Sequence, residues 1–135
     1  MAVLFNPAGA ALKVFEPSDL MVTATAAANS GLTLTLPAAG VGLFHYITAL
    51  YITRTATAAL AGTATLVITS TNLSGSMAWS VGNAMVAGGT QNDLNLHMAG
   101  NPIKSVASNT ATTVVMPVQG AAVLWRAWAA YYVGA

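Results

Sequence analysis

The chain has 135 residues, 56% of them hydrophobic, no cysteine and only 5% charged, with a formal net charge of +1. This length is about one domain with a core of its own, and without cysteine there are no disulfides or thiolate metal sites, as in a reducing compartment. About a quarter of a soluble domain is normally charged, so four basic and three acidic residues provide no steering toward nucleic acid or an anionic membrane and leave a surface to be covered by lipid or by protein.

Lipid is the weaker alternative. No run approaches the ~18–20 uninterrupted apolar residues of a membrane helix; the best, Ala127 to Ala135, is short and edged by Arg126. The start, Met1 to Pro7, has no basic region leading into an apolar stretch and cleavage site, so no secretory signal is expected. An outer-membrane barrel would need one, and would alternate lipid-facing apolar residues with a polar lumen. The expectation is no membrane and no nucleic-acid partner.

In chain order, residues 1–22 hold the breakers Pro7 and Pro17 and much of the scarce charge (Lys13, Glu16, Asp19). They read as an arm, extended or partly helical, before a domain over residues 23–135. Asn29-Ser30-Gly31 is a turn. Leu32, Leu34 and Leu36 alternate with Thr33 and Thr35, the period of a half-buried strand. Leu43 to Thr55 is a long strand. Parity puts Phe44, Tyr46, Leu50 and Ile52 on one face, as core candidates, and His45, Ile47, Ala49 and Tyr51 on the other.

Thr63 to Ser70 alternates in the same way. Asn72 to Ser76 turns the chain into a short strand around Trp79, and Asn83–Val86 could form a helical turn. In Thr90–His97, Leu94 and Leu96 share a face with Met98. Gly100-Asn101-Pro102 is a turn, residues 103–107 a short strand, and Thr112 to Val118 a strand that Pro117 assigns to a sheet edge. Gln119-Gly120 has the look of a tight hairpin before the last strand, Ala121 to Val133. About eight short strands in one domain predict an all-β, jelly-roll-like antiparallel sandwich.

The segment from Leu32-Thr-Leu-Thr-Leu-Pro-Ala-Ala-Gly40 through Tyr46-Ile47-Thr48 resembles the opening of small jelly-roll virion proteins of tailed bacteriophages. Gly100-Asn-Pro-Ile-Lys-Ser-Val-Ala-Ser-Asn-Thr-Ala111, the valine-rich strand after it and the aromatic end Tyr131-Tyr132-Val133-Gly134 are similar to the same family. The resemblance spans roughly residues 30–135 and rests on composition and strand order. It implies a capsid decoration, or cement, protein: made in the host cytoplasm, placed on the capsid surface of the virion, and bound to the major capsid protein or another virion protein. A head fibre, a neck or tail part, a receptor-binding jelly roll and a lectin-like carbohydrate-binding module are the alternatives.

Signals for chemistry are weak. There is no G-x-S-x-G, and the glycine-rich run from Gly82 to Gly89 has no lysine for a phosphate loop. Asp93 and His97, four residues apart on a strand, are separated by roughly 13 Å and cannot share a metal. Asn72-Leu-Ser74 matches a glycosylation sequon but reads as a turn. No cofactor, metal or catalytic residue is assigned, and an enzyme ranks last.

The aromatic residues point elsewhere. On the last strand Trp125 and Tyr131 share a parity with Val123 and Val133, which makes them core candidates. Trp128 and Tyr132 share theirs with Leu124 and Arg126, and are interface candidates together with Arg126 and with Phe5 and Phe15 of the arm. Few charges and two-faced apolar strands predict self-association, with a trimer as the expected state.

Overall fold

The alternation in Leu32 to Leu36 sets the pattern of the whole fold: Leu34 and Leu36 are fully buried, Leu32 nearly so, and the threonines between them are exposed. The structure is a computed structural model and describes residues 4–5, 11–12, 20–75, 77–98, 100–120 and 122–135. These residues form β1 (Leu4–Phe5), β2 (Ala11–Leu12), β3 (Leu20–Thr25), β4 (Leu32–Leu36), β5 (Phe44–Ala56), β6 (Thr65–Thr71), β7 (Ala78–Gly82), β8 (Thr90–His97), β9 (Ile103–Lys104), β10 (Thr112–Met116) and β11 (Val123–Gly134), with no helix among them. β1 and β2 pair with each other.

The remaining strands make two antiparallel sheets, β4-β10-β6-β7 and β3-β11-β5-β8, with β9 pairing β5 beyond the end of β8. Counted from β3 and without the two-residue β9, the sheets run first-eighth-third-sixth and second-seventh-fourth-fifth. This is jelly-roll order, in which successive strands cross between sheets except where a hairpin joins β6 to β7. The core lies between the inner faces. The four-stranded sheet contributes Leu34, Leu36, Ile68, Val114 and Met116; the five-stranded sheet contributes Leu50, Ile52, Ala127, Ala129 and Trp125. Each large side chain fully buried there stabilises the fold by about 1.5–3 kcal/mol.

The long strand β5 departs from simple parity. Ala130 pairs with Ala49 and Tyr131 with Ile47, so Thr48 is an extra residue, a β-bulge. Its hydroxyl donates to the Ala130 carbonyl at 3.0 Å. The bulge exchanges the two faces of β5. Before it His45 and Ile47 point inward, and after it Leu50, Ile52, Arg54 and Ala56 do. Phe44 and Tyr46, expected in the core, are therefore half-buried on the outer face, where Tyr46 stacks on Tyr132. Leu50, Ile52, Trp125 and Tyr131 lie in the core.

Other expectations give way to long-range pairing. β10 lies between β4 and β6 rather than at an edge; it ends at Met116, so Pro117 falls just outside the ladder and costs it no hydrogen bond. Gln119-Gly120 does not close a hairpin, because β10 and β11 belong to different sheets. At 83–86 there is no helix; Met85 instead exchanges backbone hydrogen bonds with Leu60. Leu20–Thr25 is an edge strand beginning inside the expected arm, with Val22 and Ala24 facing the core and Met21, Thr23 and Thr25 outward.

Candidate functional site

The bulge at Thr48 gathers aromatic side chains from both halves of β5 onto the outer face of the five-stranded sheet. The register arranges that face in transverse rows. Thr25, Arg126, Thr53 and Asn92 form the first, and Thr23, Trp128, Tyr51 and Asn95 the second. Met21, Ala130, Ala49 and His97 form the third; Tyr132, Tyr46 and Lys104 form the fourth.

The second and fourth rows are ridges. Trp128 and Tyr51 stack with ring centroids 4.4 Å apart and planes 12° from parallel. Tyr132 and Tyr46 stack at 4.8 Å and 2°. Each stacked pair is worth about 0.5–1.5 kcal/mol beyond its burial. Both ridges are extended by further contacts: Tyr51 meets His97 edge-on and hydrogen-bonds its Nε2, and the Lys104 ammonium lies 4.0 Å from the Phe44 ring centroid and 5.3 Å from that of Tyr46. The Tyr46 hydroxyl donates to the Ala135 main-chain oxygen at 2.8 Å. Gly134 leaves room for the second ridge, since a Cβ there would come within 3.3 Å of the Tyr46 ring. Burial and the neighbouring Tyr46 phenol push the Tyr132 phenol above its ordinary value of 10.0.

Trp128 and Tyr132 are four residues apart on one strand, so the ridges stand roughly 13 Å apart. Ala130 and Ala49 make the floor between them. On the far side of the Trp128 ridge a hollow of about 270 Å³ lies over the first row, lined by Thr25, Thr53, Arg126, Tyr51 and Trp128. Arg126 is exposed and, among the described residues, has no carboxylate partner.

Of the expected interface residues, Trp128, Tyr132 and Arg126 thus share one face. Phe5 lies in β1, and Phe15 lies outside the described residues. Tyr51, His97 and Lys104 were not anticipated, and Phe44 and Tyr46 were assigned inward. The signal for them is only long-range: a bulge opposite Ala130, and the pairing of β9 with the start of β5.

The polar groups inside the molecule have structural tasks. Arg54 lies in the core with its guanidinium on Asp93 at 2.6 and 2.5 Å, on Gln119 Oε1 at 2.9 Å and on the Gly82 carbonyl at 2.7 Å. Its carbon Cζ is 5.1 Å from the Trp125 ring centroid. His45 is buried at the other end of the sandwich. Its Nε2–H donates to the Pro37 carbonyl at 2.8 Å and Nδ1 accepts from the Thr112 hydroxyl at 2.9 Å, a tautomer assigned from those partners. The Asn72 amide nitrogen donates to Ala107, Thr110 and Thr112, so the sequon asparagine is committed to anchoring the loop before β10.

A second cavity, about 430 Å³, opens at the Arg54 end between Leu60, Met85, Val86 and Thr90 and has no titratable side chain in its lining. Among the described residues no three His, Asp or Glu side chains come together as a metal site. No protein-family model matches this chain, and no curated protein or solved structure matches it.

Proposed function

We propose that the chain is a non-enzymatic structural protein of a virion: a decoration protein that braces the head of a tailed bacteriophage and docks on the shell through the outer face of its five-stranded sheet. The observation that carries this reading is the pair of aromatic ridges on that face. Tryptophan, tyrosine and arginine concentrate binding energy at protein interfaces, and here Trp128, Tyr51, Tyr46, Tyr132 and Arg126 stand together on one half-exposed sheet. The resemblance of residues 30–135 to small virion jelly rolls supplies the head as the setting. A 5% charge content suits a protein whose surface is largely covered in its assembly.

The opposite outer face supports self-association. Thr33, Thr35, Thr69 and Thr71 are exposed there with Val67, and among the described residues that sheet carries no charged side chain. A neutral β surface of this kind suits packing against copies of itself through contacts that depend little on salt. A trimer is part of the proposal.

A sugar-binding role fits the geometry less well. A pyranose docks on an open aromatic face, whereas Trp128 with Tyr51 and Tyr132 with Tyr46 already use one face of each ring on one another. The test is a reconstruction by electron cryomicroscopy of particles from a phage that encodes this sequence. The expected result is the sandwich at regular sites outside the shell, its aromatic sheet toward the capsid protein. Particles without it on the head, or with it only at the tail, would refute the decoration role.

A further inference from the structure

The charged side chains of the described residues divide into a closed pair and two open cations. Arg54 and Asp93 neutralise each other in the core, with side chains 0% and 1% exposed. Lys104 and Arg126 are the only exposed charged side chains among the described residues, and the register puts both on the outer face of the five-stranded sheet. They flank opposite ridges: Lys104 stands beside Phe44 and Tyr46, and Arg126 occupies the hollow beside Trp128 and Tyr51. The hydroxyl-bearing Thr25 and Thr53 pair with Arg126 from the two neighbouring strands. A guanidinium fork set among hydroxyls and walled by aromatic rings is suited to a carboxylate, which it can grip through two parallel hydrogen bonds.

The geometry points to an acidic surface on a different protein as the occupant of this face. One carboxylate enters the Arg126 hollow, another meets Lys104, and apolar side chains fill the alanine-floored trough between the ridges. This rests on the reading of the face as a docking surface and names the chemistry of its partner. A second copy laid face to face is disfavoured, because it would bring four cations into one interface without a described carboxylate side chain to meet them. Self-association then belongs to another surface, and partner capture should be steered by charge even though the chain as a whole is nearly neutral.

The test is calorimetric titration of the full chain with poly-L-glutamate, with polygalacturonate in parallel and light scattering of the protein alone. The expected result is polyglutamate binding that weakens at least about tenfold between roughly 50 and 300 mM salt, as screening shortens the reach of the two cations. The same loss, about tenfold or more, is expected for Lys104→Gln with Arg126→Gln, and for Trp128→Ala, each checked by melting to be folded. Absence of binding, or binding indifferent to Trp128→Ala, overturns the inference. Equal or tighter binding of polygalacturonate overturns it in favour of an acidic polysaccharide. Self-association that Trp128→Ala abolishes overturns it in favour of a second copy. None of these measurements uses virions, so their outcome is separate from whether the protein sits on a head.

Discussion

Arg54 holds both carboxylate oxygens of Asp93, Nε to Oδ2 at 2.6 Å and Nη2 to Oδ1 at 2.5 Å, inside the core of the sandwich. A bulge makes this possible. Ile52 pairs with Leu94 but Thr53 with Asn92, so Asp93 is the extra residue on β8. The remaining guanidinium hydrogens reach Gln119 and the Gly82 carbonyl, and Gln119 in turn donates to Asn83. One side chain of the five-stranded sheet thereby fastens the end of β7 and the crossing from β10 to β11.

Removing one member of this pair should cost far more than removing both. Asp93→Ala leaves a buried guanidinium uncompensated and is expected to destabilise the fold by about 3–5 kcal/mol, whereas Arg54→Met with Asp93→Leu should recover most of that loss. Urea unfolding of the two variants checks this. Equal midpoints for Asp93→Ala and wild type would mean that the pair is solvated in the folded protein.

These two bulges mark the limit of what was legible in the sequence. Strand positions in β4 and β6 follow from alternation alone, because Leu34 and Ile68 each sit in a clean period of two. So does the division of β11, where Trp125 and Tyr131 go inward and Trp128 and Tyr132 outward. Along β5 the same reasoning works after Thr48 and inverts before it, since a one-residue insertion against β11 leaves no local trace when both faces are apolar. β3 was hidden for a related reason: its inward residues are only Val22 and Ala24, and pairing with β11 makes it a strand. The Arg54–Asp93 pair has no local signal, because the partnership is formed across strands.

The Thr48 bulge itself can be tested. Deleting Thr48 would close the ladder with Ala49 still opposite Ala130 and Ile47 still opposite Tyr131, so His45 and Ile47 stay inward and Phe44 and Tyr46 outward. The expected outcome is a folded protein that loses only about 1 kcal/mol, the net worth of the hydrogen bond from the Thr48 hydroxyl to the Ala130 carbonyl. Near-ultraviolet circular dichroism and a melt would show it. A deletion variant that no longer unfolds cooperatively would contradict the bulge, because removing one residue from an unbulged strand exchanges the faces on one side of it.

Trp125 and Trp128 should behave as different kinds of residue. Trp125 is 0% exposed and its indole N–H donates to the Pro117 carbonyl at 2.9 Å. Trp125→Ala is expected to cost about 3–5 kcal/mol. Trp128→Ala removes one stack on a half-exposed face and should cost about 1 kcal/mol. Thermal melting of the two side by side is the check, and equal losses would place both rings in one continuous core.

The Tyr132 phenol should titrate above its ordinary value of 10.0, because burial and then the Tyr46 phenol disfavour its anion. The sign follows: the folded state favours the protonated phenol, so this contribution is fully present below about pH 10 and is lost as pH rises through the folded-state value. Tyr46→Phe should lower the Tyr132 midpoint. Ultraviolet difference titration measures it, and a Tyr132 midpoint below that of free tyrosine would contradict the stacked arrangement.

Whether the aromatic face holds the protein on its assembly is read most directly by adding purified wild type and Trp128→Ala to phage heads stripped of the protein, then measuring the fraction that sediments with the heads. If Trp128 anchors the contact, the variant should melt within a few degrees of wild type yet bind at least about tenfold more weakly, as loss of an aromatic hot spot of ~2 kcal/mol or more implies. A folded Trp128→Ala protein that sediments with heads as well as wild type would contradict docking through this face.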